Sequence, residues 1–84
     1  MGKLVAYLRT EYRQERGLPA LSQSGLARMC ELDPSFINRV ESGERMPERG
    51  TIEAMATVLR VSGYHRTRLY HLAGYLTPEE WEQE

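Results

Sequence analysis

Pro34, Ser35, Asn38 and Arg39 fall close together in the stretch "DPSFINRVESG", residues 33–43. At helical spacing they share one side of a short segment with Phe36 near its edge, while Ile37 and Val40 take the other side. Such side chains offer hydrogen-bond donors and acceptors for recognition, and an arginine can engage two acceptors at once. Residue types that cut bonds or hold metals are poorly placed for it. His65 and His71 are six apart and do not share the i, i+4 face that a zinc-binding helix uses. Cys30, the single cysteine, lies on the apolar side of its own segment, where a free buried thiol is expected; alone it forms neither an intrachain disulfide nor a thiolate cluster. No glycine-rich phosphate loop and no paired acid–base constellation occurs. The expectation is a protein that is not an enzyme and has no cofactor and no metal.

The elements that would position this face are helical. Leu4, Leu8 and Tyr12 recur every four residues with Val5 beside them, predicting one amphipathic helix over 3–16 that Gly17 and Pro19 stop. Ser22 can cap a second helix that turns Leu26, Ala27 and Cys30 inward. Asp33 then Pro34 reads as a cap followed by proline at the first helical position, with Gly43 ending that third helix near Ser42. Thr51 opens a fourth, with Ile52, Met55, Ala56 and Leu59 at i, i+3, i+4 and i+7. A fifth follows Ser62 and buries Leu69, Leu72 and Ala73. Only Glu31 and Leu32 separate Cys30 from Asp33, so the second and third helices must cross steeply, with the small Ala27 where their backbones approach. The expected fold is all-α: a compact five-helix domain whose second and third helices form a helix-turn-helix. A helix propped up by its neighbour and displaying short polar groups with an arginine has the shape that enters a DNA major groove.

Composition fits one small domain. Eighty-four residues support only a modest core, and 40% hydrophobic with 27% charged residues is ordinary for a soluble globule. No apolar run approaches a membrane span or a signal-peptide core, which leads to the expectation of a soluble, cytoplasmic protein with no membrane partner. Net charge is −1, but the four glutamates of residues 77–84 leave 11 basic against 8 acidic side chains, a formal +3, for residues 1–76. The division expected is a helix-turn-helix domain over 1–76 and an acidic C-terminal segment over 77–84, either a short helix start that docks Trp81 on this domain or its partner, the favoured expectation, or the stub of a linker to a second domain. In that segment Thr77, Pro78 and Glu80 spell a capping box, and Leu76 and Trp81 occupy the positions of a hydrophobic staple.

Residues 8–75 resemble the Cro/C1-type, or XRE-type, helix-turn-helix domains of the phage-repressor family. The resemblance rests on an arginine-rich first helix ending at Gly17, then "SQ" and "LA", "INRVESG", a proline-containing loop, "TIEAMATVL" and the closing "LAGY". It implies a transcriptional regulator, repressor-like and prokaryotic or phage-encoded, that binds double-stranded DNA as a homodimer on a pseudo-palindromic operator. Glu31 and Arg60 stand where the family usually has glycine, and Leu18, Pro19 and Ala20 look like an insertion. If the backbone is left-handed at Glu31, a non-glycine residue costs roughly 1–2 kcal/mol there.

Carried residue by residue, the resemblance makes Ser35 and Arg39 base contacts, with Arg39 able either to take guanine O6 and N7 or to clamp a phosphate. Phe36 can meet a thymine methyl or sugar, or simply pack. Gln23 and Asn38 become phosphate contacts, as do Arg45 and Arg49 in the loop "GERMPERG", where Glu44 and Glu48 can instead neutralise them. Arg13 and Glu41 match a structural salt bridge between the first and third helices. The same fold also serves protein-interaction modules such as antitoxins and adaptors, and near-neutral charge suits that reading.

Overall fold

The computed structural model describes residues 1–82 and is helical, with no strand among them. The helices are α1 (Gly2–Arg9), α2 (Glu11–Glu15), α3 (Gln23–Met29), α4 (Phe36–Glu41), α5 (Arg49–Leu59), α6 (Gly63–Leu72) and α7 (Pro78–Glu82). The expected all-α class holds, with two adjustments. The predicted first helix is divided at Thr10, whose hydroxyl donates to the Ala6 carbonyl (2.6 Å) while its backbone leaves helical geometry at φ −118°, ψ −88°. A threonine bonding back by four residues competes with the helical ladder in this way. The acidic segment adds α7.

Apolar residues at helical spacing close one core. Leu4, Val5 and Leu8 of α1, Leu26 and Ala27 of α3, Ile37 and Val40 of α4, and Ile52, Met55, Ala56 and Leu59 of α5 are all buried. From α6 the buried pair is Leu69 and Tyr70, whereas Leu72, expected inside, is 39% exposed. Tyr70 takes the inward place because its hydroxyl finds a partner in Glu53 at the core's rim. Burial and that carboxylate push the Tyr70 phenol up to about 12.

Starts and stops follow local chemistry. Ser22 caps α3, accepting from the Gly25 N–H (2.9 Å). α5 opens at Arg49 rather than Thr51, after a fully buried Pro47 and an extended Glu48. Five chain reversals share one pattern, in which a left-handed residue lets the next N–H reach a carbonyl five residues back. The pairs are Leu18 to Arg13, Leu32 to Ala27, Glu44 to Arg39, Val61 to Ala56 and Tyr75 to Tyr70, all at 2.9–3.1 Å. Glycine supplies the left-handed residue at Gly17, Gly43 and Gly74, but Glu31 and Arg60 do so with φ 59° each.

The described part of the acidic segment, residues 77–82, is docked on the body; residues 83 and 84 of the expected segment lie outside the described residues. Thr77 and Glu80 form the reciprocal capping box, Thr77 N–H donating to Glu80 (2.8 Å) and Glu80 N–H to Thr77 Oγ1 (3.2 Å). Glu79 pairs with Arg66 (2.5 Å) and Glu80 with His71 (2.8 Å). At the staple positions Leu76 is 36% and Trp81 60% exposed, and the Trp81 ring lies 5.0 Å from the Arg49 guanidinium.

Two outcomes are expected. Glu31→Gly and Arg60→Gly should each raise stability by about 1 kcal/mol in urea unfolding, because relief of left-handed strain exceeds the added chain entropy of glycine. The Thr77 N–H, then His71, hold the Glu80 carboxyl down at about 2. A depressed carboxyl stabilises above its unfolded pKa and loses that contribution as pH falls through its folded one. Trp81 fluorescence should therefore stay constant down to about pH 3 and shift only on approaching pH 2.

Candidate nucleic-acid interface

The corner between α3 and α4 fixes the displayed helix. Ala27 is fully buried, and its carbonyl takes the Leu32 N–H (2.9 Å) across the turn. Asp33 then starts the next segment, but not as a plain cap with Pro34 at the first helical position. Its Oδ1 accepts from both Ser35 N–H (2.9 Å) and Ser35 Oγ–H (2.6 Å), and a tight turn over 33–35 precedes α4 proper, which begins at Phe36. These two hydrogen bonds, hydroxyl first, lower the Asp33 carboxyl below its usual range, with Arg39 adding a small favourable field.

Behind this face lies a chain of polar contacts joining three helices. Glu41 of α4 receives Arg9 Nε (2.6 Å) and Nη2 (3.0 Å) from α1, and Gln23 Nε2 (3.0 Å) from α3. Gln23 Oε1 in turn accepts from Asn38 Nδ2 (3.2 Å). The two-pronged arginine contact fixes direction as well as distance, and Glu41 raises the Arg9 pKa. Gly2 adds close approach: a Cβ there would overlap the Glu41 carbonyl, so α1 rests directly on the α4 backbone.

The salt bridge expected between Arg13 and Glu41 is therefore made by Arg9. Arg13 is buried and donates to the carbonyls of Pro19 (2.8 Å) and Val58 (3.3 Å). The Pro19 carbonyl of the segment 18–20 lies over Arg13 and accepts from its Nε–H. Arg9 stands four residues before Arg13, so helical periodicity over 3–16 places both on one side and does not distinguish them.

The other expected residues divide into available and occupied. Arg39 is exposed, and its guanidinium has no hydrogen-bond or ion-pair partner among the described residues; Ser42 Oγ donates only to its carbonyl. Ser35 is partly exposed with its hydroxyl proton committed to Asp33. Phe36 lies partly buried under Arg45, whose guanidinium is 5.7 Å from the ring. Gln23 and Asn38 sit together where α3 meets α4. Arg49 is apart from this group, bracketed by Tyr75 (5.1 Å) and Trp81 (5.0 Å). Cys30 is half-buried at the corner, where burial pushes its thiol up and keeps it protonated.

Two helices joined by a short hydrogen-bonded corner, the second presented outward, define a helix-turn-helix. A family model described as a helix-turn-helix domain matches residues 3–69, and the chain belongs to that family. Helix-turn-helix domains as a class are DNA-binding and regulatory. No curated protein and no solved structure matches the chain. No helix among the described residues is long and apolar enough to cross a membrane.

Loss of the α1–α4 clamp should be measurable. Arg9→Ala strands Glu41, and since the side chains keep only 16% and 11% exposure, about 2 kcal/mol of stability should be lost, less than the roughly 3–5 of a fully buried pair. The double replacement Arg9→Met with Glu41→Leu should recover most of it in urea unfolding.

Proposed function

We propose that this protein is a sequence-specific regulator of transcription that binds double-stranded DNA with α4 in the major groove. The observation that carries the reading is Arg39: an exposed, unpaired guanidinium on a helix whose orientation Glu41, Arg9 and Gln23 hold fixed. Held in this way it can take guanine O6 and N7 together, a contact worth about 1–3 kcal/mol of discrimination. Ser35 lies one turn earlier on the same face. Gln23, Asn38 and Arg45 supply phosphate contacts around it, Gln23 from the first turn of α3. Arg49, held between two aromatic rings, contributes only if those contacts open.

Affinity from one such module is small. With a formal +3 over residues 1–76, few phosphates can be neutralised, so a homodimer on a pseudo-palindromic operator, with half-sites about 34 Å apart, fits the charge best. Repression follows naturally from occupancy of such an operator, in a prokaryotic or phage-encoded cytoplasmic setting.

A second reading, a helix-turn-helix interaction module such as an antitoxin or adaptor, draws support from a cleft of about 660 Å³. Exposed Met46 and Leu72 line it beside Lys3, Arg45 and Arg68. The two readings part on one experiment. Selection from a random duplex library, followed by footprinting, should yield paired half-sites one helical turn apart. Arg39→Ala should then lose roughly ten- to hundredfold in preference for the selected site while non-specific binding changes little. Equal loss on every sequence would make Arg39 a phosphate contact, and no selected sequence would leave the interaction module.

A further inference from the structure

Serine is normally an ambivalent reader of DNA, since its hydroxyl both donates and accepts and so tolerates any base edge. Ser35 is not in that state. Its hydroxyl proton is given to Asp33 Oδ1 at 2.6 Å, and the Ser35 N–H, at 2.9 Å, holds that same acceptor oxygen in place. What remains on the outward side of Ser35 is lone pairs. The neighbouring Asp33 carboxylate is exposed and likewise only accepts. Ser35 keeps helical backbone geometry (φ −89°, ψ −4°), and its carbonyl takes the Arg39 N–H (3.1 Å), so Ser35 and Arg39 are one turn apart on one face.

Building on the DNA-binding reading above, we propose that Asp33 is a specificity-determining residue: it locks Ser35 as an acceptor-only reader, which selects a base with a major-groove amino group. Adenine N6 and cytosine N4 carry such a group, whereas guanine O6 and thymine O4 present acceptors that would face the Ser35 and Asp33 lone pairs. The face would thus combine an all-donor reader, Arg39, for guanine with an all-acceptor reader, Ser35, for adenine or cytosine at a neighbouring position. Asp33 acts through Ser35 and is a positioning residue. Its charge, set among phosphates, also keeps non-specific binding low.

The test uses the full chain and duplexes selected by the wild-type protein. At the base pair where Ser35→Ala relaxes preference, one adenine is replaced by a purine nucleoside lacking the 6-amino group. In a separate duplex the paired thymine is replaced by an analogue lacking O4; where a C·G pair is selected, the cytosine 4-amino group and the guanine O6 are removed instead and read in the same way. Wild type should lose about tenfold in affinity on amino removal and little on O4 removal. Asp33→Ala, which frees the hydroxyl proton, should reduce the amino effect to about twofold. Asp33→Asn keeps an oxygen acceptor and the turn, so it should retain the amino effect while binding all DNA more tightly. That variant also guards against a folding defect in Asp33→Ala. Greater loss on O4 removal than on amino removal in wild type would overturn the proposal, as would an unchanged amino effect in a folded Asp33→Ala. Failure of the wild type to select any sequence would overturn the DNA-binding reading itself, a result distinct from selection with no amino dependence.

Discussion

The architecture turns on a single carboxylate. Glu41 stands at the end of α4, a helix of six residues, and takes donors from α1 and α3 at once. A helix that short has no stability of its own in water, so its direction is whatever its neighbours impose. Burial of Ile37 and Val40 decides which side faces inward. It does not decide the tilt, because apolar contact is non-directional. The bidentate Arg9 contact, the Gln23 bond and the close approach of Gly2 supply the directional part. Partial burial makes this clamp stronger than a surface pair and keeps it from water's competition.

A second constraint is that each short helix must stop abruptly. The repeated left-handed stop lets the chain turn within two residues while its last carbonyls stay bonded. That economy is what fits several helices into so short a chain. At two of the five stops the left-handed residue carries a side chain, and one of these, Glu31, is the corner of the helix-turn-helix itself. Strain at that corner is tolerated because the hydrogen bond from Leu32 to Ala27 and the packing of Leu32 on the core fix the turn from both sides.

Charge is distributed in keeping with this. Arg9, Arg13 and Arg66 are engaged with carboxylates or carbonyls, and Arg49 with two aromatic rings. Glu79 and Glu80 of α7 meet Arg66 and His71, so the acidic end of the sequence offsets basic groups of α6. Arg39 is left outward on α4 and, like Lys3, Arg28 and Arg60, is exposed with no ion-pair partner among the described residues. Near-neutral total charge thus still leaves exposed cations in one small protein.

The all-helical class, the helix-turn-helix and most of the core were legible in the sequence because each rests on local periodicity. Ile52, Met55, Ala56 and Leu59 at helical spacing can hardly be buried any other way, and Ser22, Gly17, Gly43 and the Thr77–Glu80 box mark ends through bonds of a few residues' span. What periodicity does not encode is which of two equivalent side chains meets a distant partner. Arg9 and Arg13 fall on one side of the single helix predicted over 3–16, and only the fold, by breaking that helix at Thr10 and placing the Pro19 and Val58 carbonyls over Arg13, leaves Glu41 to Arg9. The same holds for Tyr70 over Leu72, for Arg49 between Tyr75 and Trp81, and for the state of the Ser35 hydroxyl. Burial pattern is a one-dimensional signal carried by neighbours in sequence, whereas polar pairing depends on where atoms distant in the chain come to rest in three dimensions.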